Sequence, residues 1–103
     1  MILQNLIAAA GTTLLTVPAG LNYAVVNIMV CNYVNAERTV DVHVIKQGNA
    51  ASPTTTIIKS RTMRAYDSLF LSTEKILLSA GDSIYLIASA DSSLSATVSF
   101  IAI

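Results

Sequence analysis

The 103-residue chain has no tryptophan, one cysteine, one histidine, two prolines and four glycines, and only 12% of its residues are charged. Each shortage excludes something. A lone cysteine, Cys31, cannot build an intrachain disulfide framework. One Cys and one His cannot supply the four ligands of a structural zinc site. The six acids, Glu37, Asp41, Asp67, Glu74, Asp82 and Asp91, are scattered and form no Asp-x-Asp loop of the calcium type. Asp82, following Gly81, is expected to bond to its own turn. No glycine-rich loop is present to cradle a phosphate. No metal and no cofactor are therefore expected. Six basic and six acidic residues sum to zero, which argues against work on nucleic acid or an anionic membrane, where a basic excess is needed. No apolar run approaches the ~18–20 residues that span a bilayer. The opening Met-Ile-Leu-Gln-Asn-Leu-Ile-Ala-Ala-Ala lacks the basic segment of a signal peptide, so synthesis in a cytoplasm is expected.

What is abundant is apolar. Hydrophobic residues make up 53% of the chain, which excludes intrinsic disorder. So little charge on a small surface invites association. A homo-oligomer is expected, with the trimer favoured. Both ends are apolar, Met1-Ile2-Leu3 and Phe100-Ile101-Ala102-Ile103, and both need cover from a sheet or a neighbour.

The chain contains 11 Ile, 9 Val and 10 Thr, β-branched residues that favour strands over helices. Period-two alternation recurs at Val26/Ile28/Val30, Val40/Val42/Val44, Ile84/Leu86/Ala88 and Ala96/Val98/Phe100. Turn residues cut the runs at Gly11, Pro18-Ala19-Gly20, Asn35-Ala36-Glu37, Gly48 to Pro53, Ala80-Gly81-Asp82 and Asp91-Ser92-Ser93. The expected fold is all-β: one antiparallel β-sandwich or jelly-roll-like domain over residues 1–103, with about eight short strands. Val26, Ile28, Val30, Val40, Val42, Val44 and Phe100 are its expected core.

Residues 24–46 read as a hairpin with Val30 opposite Val42. That register sets Cys31 across from Asp41 and Met29 across from His43, with Cys31 and His43 roughly 7–8 Å apart. Thiol, imidazole and carboxylate are the parts of a Cys-His-Asp hydrolase. A flat sheet face without an oxyanion turn is not a cleft, and no catalytic residue is assigned. Instead Met29, Cys31, Tyr33 and Ile45 are expected to line a covered surface with His43 at its edge, and Ile101 and Ile103 to form a contact. Lys59 and Arg61 share a solvated strand face. Tyr23, Tyr33, Tyr66 and Tyr85 read as packing residues.

Several segments together resemble small virion proteins of tailed bacteriophages. These are Thr16-Val17-Pro18-Ala19-Gly20, the run Ala24 to Asn32, Val40-Asp41-Val42-His43-Val44, Leu78 to Ile84 and Ala88-Ser89-Ala90. The resemblance covers most of residues 12–100 and departs at the apolar C-terminus. It implies a non-enzymatic β-sandwich or jelly-roll module located in the virion. Most directly it implies a capsid decoration or cement protein bound to the major capsid protein. The alternative is a neck, tail or fibre module that binds a host surface.

Overall fold

The computed structural model describes residues 2–71 and 76–103. Its strands are β1 (Ile2–Leu6), β2 (Thr12–Thr16), β3 (Tyr23–Asn32), β4 (Arg38–Ile45), β5 (Thr56–Met63), β6 (Ser68–Leu71), β7 (Ile76–Leu78), β8 (Ser83–Ala88) and β9 (Leu94–Ala102), with one 3₁₀ turn at Pro53–Thr55. They form two antiparallel sheets. Sheet A has the order β1-β9-β3-β6, with β7 also paired to β3, and sheet B has the order β2-β8-β4-β5. β6 pairs with Ile28–Cys31 and β7 with Tyr23–Val25, so the two are successive pieces along one edge of β3. Counted as one, they leave eight strand positions in the order of a jelly roll, as the alternation and turn spacing predict.

The chain crosses between the sheets at nearly every connection, and this corrects the expected 24–46 hairpin. β3 pairs with β9, β6 and β7, whereas β4 pairs with β5 and β8. Asn32 directs the crossing. It is fully buried, and its backbone N–H donates to Asp67 O at 2.8 Å. Its side-chain Nδ2 donates to Ala36 O at 2.8 Å, Arg64 O at 2.9 Å and Met63 O at 3.2 Å, while Oδ1 accepts from Val34 N at 3.2 Å. One side chain thus ties the β3–β4 crossing to the β5–β6 crossing and satisfies backbone groups that leave the ladder there.

The core fills the space between the sheets. Val25, Ile28, Val30, Leu94, Ala96, Val98 and Phe100 come from sheet A; Leu14, Leu15, Val40, Val42, Ile84, Leu86, Ala88 and Met63 come from sheet B. Tyr23 and Phe100 close one end with ring centroids 4.6 Å apart. Val44 packs against this core and is half-buried. Val26 does not enter it. The β3–β9 register slips between Val25 and Asn27, a bulge in which two residues of one strand oppose one of the other. Val25 is therefore 2% exposed and Val26 45% exposed, the reverse of the parity read from the sequence. Asp82 does bond to its turn, accepting from Ser79 N at 2.9 Å, and its second oxygen accepts from Gln47 N at 3.0 Å.

Candidate functional site

The sandwich presents two unlike outer faces. No residue of the five strands of sheet A is charged. Register places Ile2, Gln4 and Leu6 of β1 beside Ser99, Thr97 and Ser95 of β9. It then places Asn27, Met29 and Cys31 of β3 beside those same three positions, and Ala24 beside Ile101. Phe70 lies beside Met29 and Leu77 beside Ala24. With Val26, this is an outer surface of apolar and small neutral side chains, on which Phe70 is 60% and Leu77 71% exposed. The charges of the described residues sit on β4, β5 and the connections.

Sheet B is built differently. Along β4, Val40, Val42 and Val44 pair with Ala88, Leu86 and Ile84, so Asp41, His43 and Ile45 point outward beside Ile87, Tyr85 and Ser83. The connection 46–55 returns over this face. It carries Thr55, whose Oγ1 lies 2.9 Å from His43 Nδ1. Thr56 Oγ1 lies 3.4 Å from the same nitrogen. The imidazole is consequently only 6% exposed. β5 slips register twice against β4, between Val40 and Val42 and between Val42 and His43. At the first slip Ser60 adopts φ 50°, the left-handed region that β-carbon-bearing residues seldom enter. The slip turns the Ser60 N–H onto Asp41 Oδ1 at 2.6 Å, while Lys59 Nζ reaches Oδ2 at 3.1 Å. Between this edge and the returning connection lies an open hollow of about 540 Å³ lined by Asp41, His43, Ala51, Ser52, Pro53, Thr56, Lys59 and Ile87.

Burial acts to raise the Asp41 pKa, but the Ser60 N–H, Lys59 and the nearby His43 together outweigh it, and the carboxyl titrates below its ordinary 3.8. A carboxyl depressed on folding contributes stability above its unfolded pKa and loses that contribution as pH falls through its folded value. The stability gap between wild type and Asp41→Asn is therefore expected to be constant near neutrality and to close as the pH drops below 3.8. Urea titrations of both chains at stepped pH measure it. A gap that widens in acid contradicts the assignment.

The residues expected to line one covered surface fall on both sheets. Met29 and Cys31 lie on the outer face of sheet A, and Ile101 is exposed on the same face. Tyr33 follows β3 and donates its hydroxyl to Ser92 O. Ile103 is exposed beyond β9, with its N–H on Asn22 O. Ile45 and His43 belong to sheet B, and both are buried. Cys31 and His43 thus stand on opposite outer faces of the sandwich, so the thiol–imidazole–carboxylate grouping does not form. Lys59 is solvated as expected, its side chain 72% exposed, and its ammonium also reaches the Asp41 carboxylate. The sequence reasoning missed the grouping of Asp41, His43, Thr55, Ser60 and Lys59. Its only sequence signal is the alternation of Asp41 and His43 against Val40, Val42 and Val44, since the remaining members arrive through a loop and a bulge.

No family model, no curated protein and no solved structure matches this chain.

Proposed function

We propose that this chain is a non-enzymatic structural protein of a tailed-bacteriophage virion, a capsid decoration or cement protein that self-associates and binds the capsid lattice. The resemblance in the sequence supports the virion setting, and a jelly roll suits the role. The observation that carries the reading is the outer face of sheet A, uncharged among the described residues. A permanent contact favours such a face, because a charge buried without a partner is costly. The 31 residues of the five strands of sheet A, at about 3.3 Å per residue and about 4.8 Å between strands, give a footprint of roughly 490 Å². The accessible area of a corrugated surface exceeds its footprint, so this face supplies a substantial part of the ~800 Å² per partner of a standard interface. At ~25 cal/mol per Å², each 400 Å² of apolar contact contributes on the order of 10 kcal/mol before association costs.

On this reading the protein is made in the host cytoplasm and resides in the virion. It sits against the major capsid protein, with the trimer as the expected oligomer. Met29, Cys31, Tyr33, Ile101 and Ile103 remain its proposed contact residues, and Phe70 and Leu77 join them. The test is sedimentation of the wild type and of Phe70→Asp at micromolar concentration. The wild type is expected to sediment as an oligomer. Phe70→Asp is expected to sediment as a 10.9 kDa monomer with an unchanged β-sheet spectrum. A monomeric wild type, or an oligomer indifferent to the aspartate, removes the assembly argument. Quantitative mass spectrometry of purified particles places the protein: hundreds of copies mean the capsid surface, and roughly a dozen or fewer mean neck, tail or fibre.

The hollow on sheet B favours a second reading, a binding module on the neck, tail or fibre. The same copy number separates the two.

A further inference from the structure

The hollow on sheet B has the parts of a ligand site, and they do not depend on how the protein assembles. Its volume of about 540 Å³ falls within the ~300–1,000 Å³ of small-molecule pockets. The Asp41 carboxylate and the Lys59 ammonium face each other across 3.1 Å, so charge inside the hollow is balanced and neither an anion nor a cation is preferred. Ala51, Pro53 and Ile87 supply apolar wall, with Ile87 opposite Asp41 in the β4–β8 register.

His43 sets the polarity. The Thr55 hydroxyl donates to Ser52 O at 3.0 Å and accepts from Ser52 N at 3.0 Å. The Thr56 hydroxyl also donates to Ser52 O, at 2.9 Å. With both hydroxyl protons directed to that carbonyl, His43 donates through Nδ1 to Thr55 Oγ1, and its Nε2 carries a lone pair. No hydrogen bond reaches Nε2 among the described residues. It is also absent from the buried unpaired side-chain atoms, which are Asn27 Oδ1 and Arg38 Nε, so it meets solvent where the ring lines the hollow. The backbone supports the same site. Ser60 holds an unfavourable φ of 50° at a bulge, and its N–H fixes the Asp41 carboxylate. Bulges that re-aim side chains and residues in sparsely populated conformations gather at functional sites.

We propose that this hollow binds a neutral polyhydroxylated ligand, a pyranose sugar ring. The His43 Nε2 lone pair and the Asp41 carboxylate accept from its hydroxyls, and Ile87 and Pro53 pack on its C–H face. The two acceptors call for donors on the ligand, the balanced charge calls for neutrality, and the apolar wall calls for a saturated ring surface. A sugar ring combines all three.

The test is nuclear magnetic resonance of the ¹⁵N-labelled full chain, titrated separately with glucose, galactose, mannose and N-acetylglucosamine. Concentrations rise to about 100 mM, enough to saturate a millimolar site. The expected result is that at least one sugar gives saturable shifts at Asp41, His43, Thr56 and Ile87, with the ring proton of His43 on Nδ1 rather than Nε2. Ile87→Trp fills the hollow from the outer face without removing any of its polar groups. It is expected to abolish the shifts while keeping a dispersed, folded spectrum; Ile87→Phe serves if the tryptophan disturbs the fold. The proposal is overturned if none of the four sugars gives a saturable shift, if the shifts persist with the hollow filled, or if Nε2 carries the proton.

Discussion

Val42→Asp is expected to unfold the domain under conditions in which Val26→Asp leaves it folded. Both are valines in the first half of the chain, and both sit at apolar positions of an alternating run. Val42 is fully buried. It lies between Leu86 of β8 and Ile58 of β5 in the register of sheet B, facing the core. An aspartate there leaves a carboxylate without a partner in the sandwich interior. It must either stay charged in an apolar medium or take up a proton at neutral pH. With the lost valine packing, the cost is about 3–5 kcal/mol. A domain of this size has only about 5–15 kcal/mol in all. Val26, at 45% exposed on the bulge of β3, reaches water, and its replacement is expected to change stability by about 0.5 kcal/mol or less. Urea unfolding of both variants decides it. Equal midpoints for Val42→Asp and wild type would show that β4 does not turn this face inward. A collapse of Val26→Asp would show that the bulge is misplaced. Val26→Asp also puts a charge on the uncharged face of sheet A, so its expected phenotype is loss of self-association with the fold retained.

Asn32→Ala comes next in expected effect. The substitution removes little apolar contact, and what it removes is a set of hydrogen bonds. The carbonyls of Ala36, Met63 and Arg64 lose their Nδ2 donor, and the Val34 N–H loses its acceptor. These groups lie at two crossings between the sheets. Each one left buried and unpaired costs roughly 1–3 kcal/mol, less where water enters. A total loss of about 3–4 kcal/mol is expected, read as a lower urea midpoint with an unchanged slope. Asn32→Asp is expected to be no better, because an ionised carboxylate only accepts and would face three carbonyl oxygens. Hydrogen exchange gives a local readout: the Asn32 N–H, bonded to Asp67 O, should lose protection more than the centre of β9. A variant as stable as wild type would mean that the crossings are held by packing alone.

These two residues mark how far the sequence could be read. Val42 was legible. Its run alternates cleanly, with polar Asp41 and His43 between valines, and period-two alternation reports which side of a strand meets the core without reference to any other strand. The same holds for Ile84, Leu86 and Ala88, and for Ala96, Val98 and Phe100, all of which are buried. Asn32 was not legible, because the carbonyls of Met63 and Arg64 that it satisfies are some thirty residues away. Val26 was misread for another reason. Residues 23–26 are Tyr-Ala-Val-Val, apolar in both parities, so only the pairing partner could choose, and the slip against Phe100 and Ser99 chose Val25.

The candidate site divides along the same line. That Asp41 and His43 share one outer face follows from their spacing of two. That a wall rises beside them, with Thr55 on the imidazole and Ser60 and Lys59 on the carboxylate, follows from a returning connection and two register slips in β5. Composition and alternation by themselves determined an all-β sandwich with little charge to spend on its surface, because both are sums over local chemistry. The tertiary structure alone decided which sheet each strand joined, that β1 lies against β9 at the far end of the chain, and that, among the described residues, every charge on a strand fell to sheet B. Strand pairing is a non-local choice, made by whichever register buries the most apolar surface while leaving the fewest backbone groups unpaired.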